Sequence, residues 1–227
     1  MRLLRLALLP ALLVTASQAA DPLQQTLAKM QDASAAFHGL TADFQRTVYT
    51  AVIEEKDESS GSIAVRRSGP ASMEMLMVVK TPDPQQISFS GNTAQIYNPK
   101  TNICDVYEKI DKKYTSVLNQ YMMLGFGSSP KDLVKLYKIA YLAAENAGGR
   151  AAAKIELTPL QPDTVTHLVS ADLWIAGDTG LAIQQQLNYQ GGNYTLAVYS
   201  KMRINPGIPD SALKMKLPGN VKMEPHR

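Results

Sequence analysis

The constraint that most narrows the folds open to this chain is a period-two alternation of apolar and polar residues that recurs between Leu40 and Pro99. Leu40, Ala42, Phe44, Arg46 and Val48 fall on one side of an extended chain, with Thr41, Asp43, Gln45, Thr47 and Tyr49 on the other. Gly61 then opens a segment in which Ile63, Val65 and Arg67 share a face, and Met73, Met75, Met77 and Val79 share a face of the next. Successive side chains of a strand point to opposite sides of its sheet, so this pattern predicts half-buried strands with one greasy face. Leu76 and Val78 make the second face of the methionine strand apolar as well, which predicts that both of its faces are covered.

Elsewhere the period changes. Leu23, Leu27, Met30 and Phe37 recur near helical spacing and stop at Gly39, which predicts an amphipathic helix over residues 21–38 ahead of a first strand over 40–52. The polar run Glu54 to Ser60 reads as a hairpin connection. Pro82 and Pro84 end the strand over 72–79, and short strands follow over 87–90, 94–97 (closing on Ile96 and Tyr97) and 103–110. Between Lys112 and Leu142 the spacing is helical again, with Val117, Leu118, Tyr121 and Met122 in one stripe and Leu133, Leu136, Tyr137 and Ala140 in a second. Strands return over 153–159, 165–175, 181–190 and 194–204, turning at Asp178-Thr179-Gly180 and Gly191-Gly192-Asn193. Pro206 to Met223 adds a helical turn at Pro209 to Leu213 and a short last strand. With no repeat and no linker, the order helix, strands, helices, strands predicts one mainly β domain. A long antiparallel sheet of this kind curls to manage its edges, and the helices between its halves are placed to plug the concave face.

The first nineteen residues read as a cleaved export signal: Arg2 and Arg5 ahead of an apolar run from Leu3 to Val14, then small residues at Ser17-Gln18-Ala19. The run is shorter than the ~20 residues that a spanning helix needs. The domain is thus expected over residues 20–227, outside the cytoplasm and, in a Gram-negative cell, in the periplasm. Lys and Arg number 23 against 20 Asp and Glu, and two of the basic residues sit in the signal, so the mature chain is nearly neutral. It lacks the clustered basic stripe of a nucleic-acid binder. The single cysteine, Cys104, cannot form an internal disulfide and reads as a partly buried strand residue.

Catalytic groups are scarce. His38, His167 and His226 have no metal-ligand spacing, and no cysteine or carboxylate cluster completes a site. Gly125-Phe126-Gly127-Ser128-Ser129 lacks the nucleophile elbow of a serine hydrolase. Glu54, Glu55, Asp57 and Glu58 read as a solvated turn. The chain is expected to be a monomer that is not an enzyme and needs no cofactor or metal.

Two features bear on function. Met73, Met75, Met77, Met122 and Met123 concentrate in the presumed wall and plug of the barrel. Flexible thioethers conform to irregular apolar ligands, although the same residues serve as ordinary core filler. Arg67 falls on the inward face beside Ile63 and Val65. An inward guanidinium needs partners, and its five donors can hold several backbone carbonyls at once as a clasp on a lid helix; alternatively it ends the strand and points to solvent.

These residues, taken in order, resemble the LolA family, the periplasmic carriers of outer-membrane lipoproteins. The resemblance runs from Phe44-Gln45-Arg46-Thr47-Val48 through Gly61-Ser62-Ile63 to Arg66-Arg67. It continues over Ile87 to Thr93, Ile96-Tyr97-Asn98-Pro99, Ile155 to Pro159 and Leu173-Trp174-Ile175. It departs where Ser68-Gly69 intervenes before Pro70 and where methionines replace aromatics at 73–77. The resemblance implies an unclosed antiparallel barrel with helices lidding a hydrophobic cavity. It implies a cargo of lipoprotein acyl chains, taken from an inner-membrane ABC exporter and passed to an outer-membrane acceptor. Arg67 falls where the family has an arginine that hydrogen-bonds the lid helices in the closed state. The cavity and lid residues expected on this basis are Arg67, Phe44, Val48, Ile63, Val65, Met73, Met75, Met77, Ile96, Leu118 and Met122. A carrier of another exported lipid or glycolipid, and a regulator that senses lipoproteins, are the alternatives.

Overall fold

The computed structural model describes residues 21–69, 72–110, 124–162 and 167–226. Helix α1 (Pro22–Ala36) leads into six strands: β1 (Gly39–Thr50), β2 (Glu55–Gly69), β3 (Ser72–Thr81), β4 (Gln85–Ser90), β5 (Thr93–Asn98) and β6 (Ile103–Tyr107). A short helix α2 (Pro130–Leu136) precedes β7 (Tyr137–Ala147), β8 (Arg150–Pro159), β9 (Leu168–Ala176), β10 (Ala182–Tyr189), β11 (Tyr194–Ile204) and β12 (Lys222–His226). All described strands join one sheet in the order β12-β6-β5-β4-β3-β2-β1-β11-β10-β9-β8-β7. Every neighbouring pair is antiparallel except β12 beside β6. Among the described residues the two ends do not pair with each other, so the described sheet is open.

Local chemistry explains the helix ends. The Asp21 carboxylate accepts from Leu23 N at 3.0 Å, and Pro22 sits in the first turn, where its missing N–H costs no bond. Met30 buries against Leu124, Leu133, Ile155, Leu157, Leu173, Ile175 and Ala182, which seats α1 on the inner face of β8–β10. A second cluster continues this core across the other half of the sheet: Phe37, Leu40, Ala42, Phe44, Ile63, Val65, Met73, Val79, Phe126 and Leu181.

Register settles which side chains share the inner face. Ala42, Ile63, Met77, Ile87 and Ile96 are cross-strand partners from β1 to β5, and Leu40, Val65 and Met75 form the neighbouring row. Leu76 and Val78 lie on the outer face, as their alternation requires. There the chain after β11 straps back across the sheet. Met215, Leu217 and Val221 pack on Tyr97, Cys104 and Val106, and Gln86 bonds Lys216 through both its amide groups at 3.0 and 2.9 Å. Arg66 fastens the strap, donating to Ile208 O (3.0 Å) and Asp210 (2.7 Å) while pairing with Glu74 at 2.6 Å. Cys104 is wholly buried beneath it, and burial pushes its thiol pKa up. On the outer face of β8 and β9, Lys154 reaches Asp172 at 3.2 Å and lies 4.6 Å over the Trp174 ring, whose indole N–H donates to Glu145.

Two expectations are overturned. The run Glu55 to Ser60 is strand, not connection: Thr50 pairs with Glu55, and the turn is Ala51 to Glu54. The polar stretch lacks a greasy side because this end of the hairpin extends beyond the core, where neither face is buried. Tyr137 to Leu142 is likewise strand, not helix. Tyr137 pairs with Pro159 and Tyr141 with Ile155, so a spacing compatible with either structure is decided by the free edge of β8. The predicted stripe Val117 to Met122, with Leu118, and the export signal lie outside the described residues.

Gly61 supplies a sharp test of this register. A Cβ there would stand 1.9 Å from the carbonyl oxygen of Val78 on β3, at a bulge in the β2–β3 pairing. Gly61→Ala is expected to lower the unfolding free energy by roughly 1–3 kcal/mol or more, read as a fall in the urea midpoint. An unchanged midpoint would contradict the register.

Candidate functional site

The chain enters β1 through a junction that ties helix to sheet. Asn205, just after β11, accepts from the backbone N–H groups of His38 (2.7 Å) and Gly39 (3.2 Å) and donates to Ala36 O at 2.7 Å. Its φ of 52° brings one amide side chain across the end of α1. Asparagine tolerates this left-handed backbone better than most residues. The sequence reading did not single it out; an asparagine before Pro206-Gly207 looks like turn chemistry only.

Arg67 faces inward, on the Ile63–Val65 side of β2, beneath this junction. Its Nε donates to Phe37 O at 3.1 Å, and Nη2 donates to Gly127 O at 2.9 Å and more weakly to Ser34 O at 3.4 Å. The guanidinium carbon lies 5.8 Å from the centre of the Phe37 ring. One cation thus joins β2 to the last turn of α1 and to the segment ahead of α2. Carbonyls at a helix end lack helical partners, which makes them natural acceptors for such a fork.

That segment is held from several sides. Ser34 Oγ donates to the same Gly127 carbonyl at 2.7 Å. Ala182 N donates to Gly125 O at 2.8 Å, and Gln185 donates to Leu124 O. Gln185 in turn accepts from Tyr199 Oη at 3.0 Å, and burial raises the Tyr199 phenol pKa far enough that it keeps this donor proton. Phe126 meets Tyr199 edge-on, with ring centres 4.7 Å apart. Gly125 has φ of 80°, and a Cβ there would lie 2.3 Å from that of Ala182, so the loop approaches β10 as only glycine permits.

Most of the expected residues meet around this point. Phe44, Ile63, Val65 and Met73 are buried in one cluster, with Met75 and Met77 half-buried against it. Ile96 continues the Ile63–Met77–Ile87 row as a half-buried residue of β5. Val48 keeps the same face but lies farther out on the hairpin, paired with Asp57 and apart from Arg67. Leu118 and Met122 lie outside the described residues. Sequence reasoning missed Ile87, and it missed Tyr141, which lines a 240 Å³ cleft with Thr26, Ala153 and Ile175 between α1 and β7–β9. Assigning 137–142 to a helix hid that second surface. Among the described residues, the site offers an apolar wall, a cation bound to backbone carbonyls, and no acid–base pair beside them.

No family model matches the chain. It is 28% identical over 226 residues, 96% of either chain, to an outer-membrane lipoprotein carrier protein of Pseudomonas fluorescens. An uncharacterized conserved protein of Thermus thermophilus superposes with a TM-score of 0.55 at 10% identity, covering 91% of this chain and 100% of that one. A chain of the Pseudomonas aeruginosa MucA/MucB complex superposes with a TM-score of 0.50 at 13% identity over 84% of this chain. The present chain spans only 60% of that one's length. Identities this low speak to the fold alone. Along nearly its whole length, then, the chain is similar to a lipoprotein carrier protein, and its fold is an open sheet that takes helices on its inner face.

Proposed function

We propose that this protein carries the acyl chains of lipoproteins across the periplasm, holding them against the inner face of its sheet beneath α1 and the segment before α2. It would be exported by its first nineteen residues, load from an inner-membrane ABC exporter and deliver to an outer-membrane acceptor. The observation that carries this reading is the placement of Arg67. A cation inside an apolar concavity is bound to the backbone of the elements that cover it, while half-buried Met75, Met77, Ile87 and Ile96 line the wall beside it. Similarity to a lipoprotein carrier over 96% of the chain supports the same cargo.

The mechanism rests on two opposed terms. Acyl chain in water is unfavourable by roughly 0.8 kcal/mol per CH₂, so an apolar enclosure binds it strongly. Delivery requires that the carrier hold its cargo less tightly than the acceptor does. Cargo entering under α1 must separate the Arg67 guanidinium from the carbonyls of Phe37 and Gly127, and those bonds re-form on release. Hydrogen bonds to a charged group contribute about 1.5–3 kcal/mol, and the half-exposed position of Arg67 favours the lower figure. Each ~1.4 kcal/mol regained on closure lowers cargo affinity about tenfold.

Arg67→Leu removes this term while keeping the wall. It is expected to load lipoprotein at least as well as the parent protein but to transfer it at least about tenfold less to the acceptor, and to speed amide exchange in residues 30–37 and 124–129. Transfer at the normal rate would rule out the clasp. Photo-crosslinking from position 75 in cells checks the cargo. Triacylated lipoprotein adducts are expected; free lipid adducts would point to a lipid shuttle, and a protein partner without lipid to a regulator.

A further inference from the structure

The aliphatic rows of the inner face change chemistry at their far edge. The row Ala42–Ile63–Met77–Ile87–Ile96 continues in register to Asp105 on β6 and then to Glu224 on β12. One step along, Tyr107 is paired with His226. One ligating atom from each of Asp105, Glu224 and His226 lies within 4.8 Å of the other two. His226 Nε2 stands 2.7 Å from Asp105 Oδ1, and its ring stacks on Tyr107 with centres 4.7 Å apart and planes 16° from parallel. Glu224 also meets the exposed Lys222 ammonium at 2.6 Å.

We propose that Asp105, Glu224 and His226 form a divalent metal site of the zinc class that clasps β12 to β6. The pairing itself motivates it. Two carboxylates directly opposite each other on neighbouring strands repel, and in the register that opposes Glu224 to Asp105 each already draws its own partner, Lys222 on Glu224 and His226 on Asp105. A dication between them turns that repulsion into attraction. Two carboxylates with one imidazole suit Zn²⁺, which binds such oxygen and nitrogen atoms at about 2.0–2.2 Å and completes its tetrahedron with water. Ligands on such an ion stand roughly 3.4 Å apart, so side-chain rotations within the 4.8 Å cluster bring the three into place without moving the strands. Stacking on Tyr107 already fixes the plane of the imidazole, the part that an outer shell usually supplies.

The site has a structural consequence. β12 is the end of the strap that Arg66, Gln86 and Met215 hold against the outer face. Among the described strands it is the one laid parallel, and it has a neighbour on one side only. A metal clip there would anchor the strap at its far end.

Isothermal titration of ZnCl₂ into untagged, EDTA-stripped protein tests the proposal. One equivalent of Zn²⁺ is expected to bind. His226→Ala, Asp105→Asn and Glu224→Gln, each checked for an unchanged far-UV spectrum, are each expected to weaken binding at least about tenfold. Zn²⁺ is also expected to slow amide exchange in residues 222–226 of the parent protein and not of His226→Ala. Absence of binding at millimolar ZnCl₂, binding that all three substitutions leave intact, or a preference for Ca²⁺ over Zn²⁺ would each overturn it. None of these outcomes depends on the cargo, so the result stands apart from the carrier reading.

Discussion

A sheet that is apolar on its concave side and never closes must have that side covered by something else. Here the cover comes from within the chain: Met30 and Phe37 of the first helical segment, Leu124 and Phe126 ahead of α2, and Leu133 on it.

 
The same side chains that hide the sheet also hide the apolar face of α1, and a helix of 15 residues depends on such packing because nucleating it alone is costly. Covering by a helix differs from covering by a second sheet, because a helix can lift away without breaking any strand pairing. On the proposed carrier reading, the inner face would open to cargo when the helix lifts, and the Arg67 bonds to the cover would be the ones broken.

Adjacent arginines on β2 divide the work of holding the cover. Period two sends Arg67 inward, to Phe37 O and Gly127 O, and Arg66 outward, to Glu74, Ile208 O and Asp210. The inner contact binds the end of α1 and the segment before α2, which cover the inner face. The outer contact binds the strap over Tyr97, Cys104 and Val106, which is part of the permanent core. A slip of one residue in β2 would exchange the two roles and turn Ile63 and Val65 away from the core, so burial alone strongly specifies its register.

The wall is graded in burial. Val65 and Met73 are sealed, while Met75, Met77 and Ile96 keep part of their surface exposed. Residues packed at full density contribute rigidity, and half-buried methionines contribute surface that can re-pack around a chain of varying shape. The polar end of the same rows, at Asp105, Glu224 and His226, bounds this apolar surface on the β6–β12 side.

Much of this is legible in the order of residues. Alternation alone puts Leu40, Ala42 and Phe44, and then Ile63, Val65 and Arg67, on common faces, because side-chain direction in a strand is set by backbone geometry with no help from the rest of the fold. The period of Leu23, Leu27 and Met30 specifies α1 for the same reason. Tertiary structure decided the remainder. Tyr137 to Ala147 became strand because β8 offered an unpaired edge, and Glu55 to Ser60 became strand because it continues the pairing begun in the core. Which carbonyls meet Arg67, the knot at Asn205, and the meeting of Asp105 with Glu224 and His226 all depend on contacts between segments far apart in the chain. Local periodicity fixes the direction in which a side chain points; only the packed sheet determines what it finds there.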